Sequence, residues 1–594
     1  MKNKNIIFLA FTTTILFAAA GCKKVLDEQP RAGVDPSFFK TADGIQGGVA
    51  GIYSSFRGHW GTQIFTQLFN AGTDEFQKGG AADVQHWFTY NNPLIKSSSN
   101  DYLGFWNSMF QNINTANGVL QYGVDAALPA ATKTQVLAQA KFLRGFCYFN
   151  LVTTFGAVPL HTTFNTQASA ADAPAPLADV YAQIIKDFTE SAADLPAIPV
   201  ANTGKAATKA TALFMLAKTY LWRGWSSAAV GTDFTSAYTT AKNIIDNKGT
   251  YGLDLLPYYP DVWKEGNEYS KEVLMCIEHT KDQKYGQNSA PGSGASNGAE
   301  NKSNFFFRPN YPNINANYPA GGGSSVTVRD INNGRPFQRI RPNTKYIINQ
   351  AFANRATDSR YEGTFQTVWL SNSVEMSARG TTGATTPRGT LINGVDTAIW
   401  MADRIVTPAE RAAFKGIIFE PEHLAGATVP YTASYYANLR KWDDSTRGDK
   451  NDYSDRPYIL LRFSELYLIA AEAAFKGGGT AQQAADMINV LRTRAALKAN
   501  QTPAQYTAAV LAQQITAGQV TLDFILDERT RELFGESTRW WDLARTKSLV
   551  SRVQAWNPEG SAGVQSYNML RPIPQTQIDL VTEGPKFPQN PGYE

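Results

Sequence analysis

The chain has 594 residues, with 55 Lys and Arg against 51 Asp and Glu, 5 His and 3 Cys. Hydrophobic residues make up 43%, enough to bury a core, which excludes general disorder. A formal charge of +4 offers no basic stripe for a phosphate backbone, so nucleic acid is excluded as a partner, and three cysteines exclude a disulfide scaffold.

The first 22 residues, MKNKNIIFLAFTTTILFAAAGC, read as an address. Lys2 and Lys4 form a positive start, and Ile6 to Ala20 is too short an apolar stretch to span a bilayer. Ala19, Ala20 and Gly21 before Cys22 resemble a bacterial lipoprotein cleavage site, with Ala19 departing from the usual leucine. Residues 1–21 are then a signal peptide and Cys22 the lipidated first residue of a body with net charge +2 (53 − 51). Multiple acyl chains hold such a protein on a membrane. The alternative is an ordinary secretory leader followed by an incidental cysteine. Cys147 and Cys276 sit in apolar runs and read as unpaired, buried small residues.

Along the body, apolar residues recur at helical spacing over 134–155 (Val136, Ala140, Leu143, Cys147, Leu151), then near 178–194, 206–223 and 234–247. Further helices are predicted at 458–476 and 481–497 around Gly477 to Gly479, and at 520–534 and 537–550 around Gly535. Consecutive helical hairpins suggest a mainly α fold, a tetratricopeptide-like scaffold of irregular spacing. Between the halves, 281–345 is rich in Asn, Gly, Ser and Pro with scattered aromatics, and 360–455 carries Trp369, Trp400, Tyr431, Tyr435, Tyr436 and Trp442. Together they read as an ordered, loop-rich irregular subdomain laid on the helices.

Chemistry-bearing motifs are scarce. His59, His86, His161, His279 and His423 never fall at metal-ligand spacing, and no zinc, nucleophile-elbow or phosphate-loop motif occurs, so neither cofactor nor metal is expected. Asp527, Glu528, Glu532 and Glu536 form the one acidic cluster, expected to pair with Arg529, Arg531 and Arg539 as structure. A glycosidic acid/base pair converging from distant loops stays open, but catalysis is not expected.

RPYILLRFSELYLIAAEAAF (456–475), LDERTRELFGESTRWWDLAR (526–545) and LRPIPQTQIDLVTEGPKFPQNPGY (570–593) resemble hallmarks of the SusD/RagB family of Bacteroidetes outer-membrane lipoproteins. CKKVLDEQP (22–30) and AKFLRGFCYFNLVTTFGAVPL (140–160) agree with that resemblance. Physically, Leu461, Leu468, Ala471 and Phe475 make a seam, and Arg462 is placed to pair with Glu465. Pro572, Pro574 and Pro588 force the tail to drape extended over the helices. The domains are then the signal peptide 1–21, a SusD-like helical region 22–280, a variable subdomain 281–455, and a SusD-like helical region with its tail, 456–594. The resemblance implies a lipid-anchored, surface-exposed outer-membrane protein that binds oligosaccharides and delivers them to a SusC-like TonB-dependent transporter. Capture of peptides or another nutrient is the alternative; a surface glycoside hydrolase or an adhesion scaffold is the remainder.

The resemblance carries over no ligand residues, so the site is sought from chemistry: flat rings for sugar C–H faces, amides and charges for hydroxyls. Two loops fit. One is 73–92, with Gly79 and Gly80 as flexible points and Trp87, Phe88, Tyr90 and Asn91; the other is 301–318, with Asn304, Phe305, Phe306, Arg308 and Tyr311. Trp87 and one of Phe305, Phe306 or Tyr311 are expected to stack on a glycan, with Asn91, Asn304 or Arg308 at its edges. The alternative is that these rings anchor the loops, which would move the search to Trp369, Trp400 and Tyr435.

Overall fold

Thr41 opens α1 (Ala42–Ser55) by accepting a hydrogen bond from the Gly44 amide through its hydroxyl. The computed structural model describes residues 36–167, 169–200, 204–280, 300–316, 318–319, 325–373 and 391–593; the leader and Cys22 lie outside these. A Cβ on Gly48 would lie 2.9 Å from the Val119 side chain, so this glycine lets α1 close onto α2 (Leu103–Tyr122). Neither helix is legible from apolar spacing, because α2 buries Asn112 and Asn117 among its hydrophobic residues.

Next comes α3 (Ala130–Phe155), which starts after Pro129 and stops at Gly156, whose φ of +80° is open to glycine at little cost. From Ala138 to Phe155 nearly every side chain is buried, so the predicted seam is only one face of a helix enclosed all round. Arg144 holds its neighbours: it pairs with Asp187 at 2.7 Å and donates to Asn117 Oδ1 at 2.8 Å. Asp187 lies on α4 (Leu177–Asp194), followed by α5 (Lys209–Trp225), opened by a Thr208–Thr211 capping box, and α6 (Asp233–Asp246). Each of these helices packs on the one before it. Cys147 and Cys276 are free and buried.

The array resumes some 200 residues later, where α6 packs against α7 (Phe463–Ala473), which packs on α8 (Ala481–Ala495). Two strands bracket the gap: β2 (Val273–Ile277) pairs antiparallel with β9 (Tyr458–Arg462). The chain thus leaves the helical array beside the place where it re-enters. The helix expected from 458 begins only at Phe463, because the apolar run Tyr458–Arg462, following Pro457, completes a sheet; short apolar runs do not distinguish the two. Beyond α9 (Leu522–Leu533) and Gly535 (φ +76°), the single helix expected over 537–550 is two, α10 (Arg539–Arg545) and α11 (Leu549–Trp556), separated at Lys547 with φ +57°.

The sheets that the excursion builds are small, and one takes a strand from earlier in the chain. β1 (Phe76–Lys78) pairs with β3 (Ile340–Pro342), and β4 (Phe365–Gln366) with β8 (Asn438–Leu439). β5 (Val368–Leu370), β6 (Thr397–Met401) and β7 (Ile417–Phe419) form one three-stranded sheet with β6 central. What fastens these pieces is charge. Glu528 and Glu532 are fully buried on α9, but their partners come mostly from afar: Arg360, Arg492 and Arg531 for Glu528, and Arg462, Arg494 and Arg360 for Glu532. Arg529 instead holds Glu465 and Asp542, Arg539 holds Asp74, and Arg462 reaches Glu272, Glu532 and Glu536 rather than Glu465. Of the predicted local pairs only Arg531–Glu528 forms.

The tail is extended and buried over Arg571 to Pro574, then turns a short helix at Gln575–Leu580 instead of draping throughout. Asn590 donates to the Phe155 carbonyl at 2.9 Å and so ties the tail to the end of α3.

Candidate ligand-binding surface

Trp87 and Phe88 lie in a short helix, Gln85–Thr89, with no exposed surface. The Trp87 indole N–H donates to Asp101 Oδ2 at 2.7 Å, and the Arg571 guanidinium sits 4.4 Å from its ring centroid and 3.8 Å from that of Trp540. Tyr90 caps that helix at φ +49° and is buried. In the second loop Asn304, Phe305, Phe306, Arg308 and Tyr311 are all buried. Arg308 pairs with Asp443 at 2.6 Å, while Tyr311 stacks on the equally buried Trp369 and donates to the Gly334 carbonyl at 2.6 Å. Of the nine residues expected to touch a ligand, only Asn91 is exposed.

The expected stacking on Trp87, Phe305, Phe306 or Tyr311 is therefore corrected: none offers a ring face to solvent. The physical reason is that an irregular loop has no helical seam to bury, so its large rings serve as anchors, each contributing about 1.5–3 kcal/mol of burial. Gly79 and Gly80 are likewise points of close approach, not flexible points. A Cβ on Gly79 would lie 2.1 Å from the Gln338 carbonyl oxygen, and one on Gly80 2.5 Å from Ser434 Oγ.

The two loops do meet, across a segment neither contains. Phe337, Gln338 and Arg339 donate their amides to the carbonyls of Phe305, Arg308 and Phe306 at 3.2, 3.1 and 2.9 Å. On the other side the Ala81 amide donates to the Gln338 carbonyl at 3.0 Å and that of Gly79 to Arg339 at 3.4 Å. Gln338 has φ +53°, a left-handed conformation held by bonds on both sides; such positions cluster at ligand clamps.

Outward from this junction stands a patch of half-buried rings. The guanidinium groups of Arg335 and Arg339 approach Phe337 to 5.1 and 5.6 Å from its ring centroid. Tyr453 lies 6.3 Å from Phe337 at 82°, with the Lys302 ammonium 5.3 Å over its ring. Gln63 accepts from Arg339 Nε at 3.1 Å, and Asp83 pairs with the same guanidinium at 3.2 Å, which fixes its direction. Burial lowers the Lys302 ammonium, with Glu300 opposing. Tyr435, half-buried beside Tyr318, follows Ser434, whose carbonyl accepts from the Asn310 amide at 2.8 Å. Flat rings bordered by amides and fixed charges suit a ligand with both C–H faces and hydroxyls. Sequence reading missed Phe337 and Tyr453 because both lie outside the two loops, and only the backbone bonds bring them there.

A catalytic pair is not assembled from the predicted acids. Burial alone would raise Glu528 and Glu532, but the surrounding guanidiniums, Arg360 foremost for the first and Arg494 for the second, hold both well below the carboxylate range. A carboxyl so held is no general acid at neutral pH. His59 is pushed down to about 4 by burial, and among the described residues no group of three or more His, Cys, Asp or Glu is placed to hold a metal ion.

The profile of the SusD family matches residues 271–593, and a second profile, described as starch-binding associating with outer membrane, matches 26–221. SusD-like protein P2 of Formosa agariphila is 26% identical over 608 residues, covering 100% of both chains. The starch-binding protein SusD of Bacteroides thetaiotaomicron is 33% identical over 146 residues, 24% of this chain and 22% of that one. Among solved structures, a SusD homolog from B. thetaiotaomicron superposes with a TM-score of 0.67 at 20% identity, covering 94% of this chain and 99% of its own. Surface glycan-binding protein A from B. thetaiotaomicron, in complex with laminarihexaose, gives 0.62 at 20% identity over 93% and 99%.

Proposed function

The chain belongs to the SusD family, and on that premise we propose that it captures oligosaccharides at the outer membrane, without cleaving them, and hands them to a TonB-dependent transporter. The observation that carries this reading is the ring patch at the loop junction. Phe337 and Tyr453 supply faces for sugar C–H groups, and Gln338, Arg335 and Arg339 supply edges for hydroxyls. The names of relatives that bind starch, laminarin or laminarihexaose support a glucan as the ligand class.

Phe337→Ala and Tyr453→Ala test the patch in isothermal titration against laminarihexaose and maltohexaose. Losing a ring at the centre of a binding surface commonly costs about 2 kcal/mol, so affinity should fall roughly thirtyfold. The thermal midpoint should move little, since both rings are only half-buried. Wild-type affinity in both variants sinks the patch as the glycan site.

Anchoring through Cys22 and presentation at the cell surface rest on the leader and on the resemblance. A transporter partner follows from the need to deliver cargo, and the absence of a long heptad seam favours a broad mixed interface. Affinity capture from gently solubilised outer membranes should recover a partner of large β-barrel size, and Cys22→Ala should release the protein from membranes. A Cys22→Ala protein that stays on transporter-free membranes removes the anchor; capture of the wild type alone removes the partner.

A further inference from the structure

A cleft of about 550 Å³ opens on the side of the loop region bordered by β4 and the turn 440–445, whereas three further concavities hold only about 10 Å³ each. Its size falls in the range of small-ligand sites. One wall is the half-buried ring of Tyr361, backed by Phe352 and Phe365 at 5.7 and 5.1 Å, with the exposed Val368 beside it.

Four carboxylates line the cleft, and each is already engaged. Glu265 accepts from Ser445 Oγ at 2.8 Å, and Glu362 accepts from the Tyr258 hydroxyl at 3.2 Å and pairs with Lys498 at 3.1 Å. Asp444 accepts from the Thr446 hydroxyl at 2.6 Å and from Ser454 at 2.7 Å, and Asp443 binds Arg308 through one oxygen. Acids spoken for in this way are poor ligands for a free cation. What remains on offer is of both signs. Arg440 is exposed and its guanidinium makes no hydrogen bond or ion pair among the described residues, while its backbone is pinned by the Thr364 carbonyl at 2.9 Å. The exposed Asn332 amide, the Thr367 hydroxyl and the second oxygen of Asp443 complete the set.

We propose that this cleft is a second saccharide-binding site, taking the end of a short oligosaccharide whose hydroxyls bridge Arg440, Asn332 and Asp443 while a sugar face rests on Tyr361. Sugar hydroxyls both donate and accept, which fits a rim of fixed donors and acceptors better than an anion or an apolar ligand would. The site is separate from the ring patch yet joined to it by one segment. Asn332 and Asn333 line the cleft, Gly334 (φ +66°) packs where a Cβ would lie 2.7 Å from Arg308 Nε, and Phe337 faces the patch. The assignment rests on the saccharide reading of the preceding subsection but not on the patch residues.

Titration of the mature protein with laminarihexaose, maltohexaose and cellohexaose tests it. Arg440→Ala with Asn332→Ala should weaken at least one hexasaccharide by about tenfold or more and leave the thermal midpoint unchanged, since both side chains are exposed. The same protein with Phe337→Ala and Tyr453→Ala added should lose what binding remains. Wild-type affinity for all three sugars in the cleft variant overturns the cleft and leaves the patch standing. Loss in the cleft variant with full affinity in the patch variant supports the cleft and removes the patch. A wild-type protein that binds none of the three overturns both.

Discussion

Arg360→Met should lower the stability of the protein by about 3–5 kcal/mol, the usual result of stranding buried carboxylates. Arg360 is fully buried, donates to both oxygens of Asp358 at 2.9 and 2.7 Å, and reaches Glu528 at 2.8 Å and Glu532 at 3.4 Å. Methionine keeps the volume and removes the charge. The acids on α9 retain Arg492, Arg531, Arg462 and Arg494, but Asp358 loses its only cation among the described residues. The sign with pH follows. Glu528 and Glu532 are held below their ordinary values, so their contribution is present above about pH 4.5 and is lost as pH falls through the depressed values. Urea midpoints at pH 7 check the size, and acid titration should show the variant unfolding at higher pH than the wild type. Adding Asp358→Leu should recover part of the loss; a single variant within 1 kcal/mol of the wild type contradicts the account.

Glu75→Gln should do the opposite and stabilise the fold. Glu75 is buried beside Asp74, and the two carboxyls sit in opposite states. Burial would raise Asp74, but Arg539 and Arg552, at 2.7 and 2.8 Å, hold it at about 2. Burial likewise pushes Glu75 up to about 8, for Arg539 is 3.7 Å away and the charge of Asp74 adds to the rise. A folded-state value above the ordinary 4.5 means that stability is fully present below pH 4.5 and drains away as pH climbs toward 8. At about 1.4 kcal/mol per unit the penalty at pH 8 is on the order of 4 kcal/mol. Glutamine keeps the acceptor oxygen and never ionises. The variant and the wild type should therefore melt alike at pH 4.5 and diverge in favour of the variant by pH 8. A constant difference across that range rules out a protonated Glu75.

The parts of the fold legible in the sequence were those whose cause is local. The helices α3 to α6 announce themselves by spacing, and the tail by its prolines. The buried asparagines of α2 hid it, and Tyr458–Arg462 read as helix because only its partner Val273–Ile277, some 180 residues earlier, makes it a strand. Of the candidate surface, sequence reading found the two loops that meet at the junction but not the rings that face outward from it. Both loops are at the junction, but a ring in a loop reports that the loop is anchored, not which side of it faces water. Arg308, an available charge in the sequence, is spent on Asp443, 135 residues away.

The pairing of Asp74 with Arg539 and Arg552 also sets the order in which the molecule can be completed. These partners are separated by 465 and 478 residues. In a chain emerging from its N-terminus, the first helices can assemble from local contacts while Asp74 still lacks both cations, and burying that carboxylate alone is unfavourable. The Asp74 carboxylate can therefore be buried with its cations only once α10 and α11 are available. Until then the side of the array that carries Asp74 stays open.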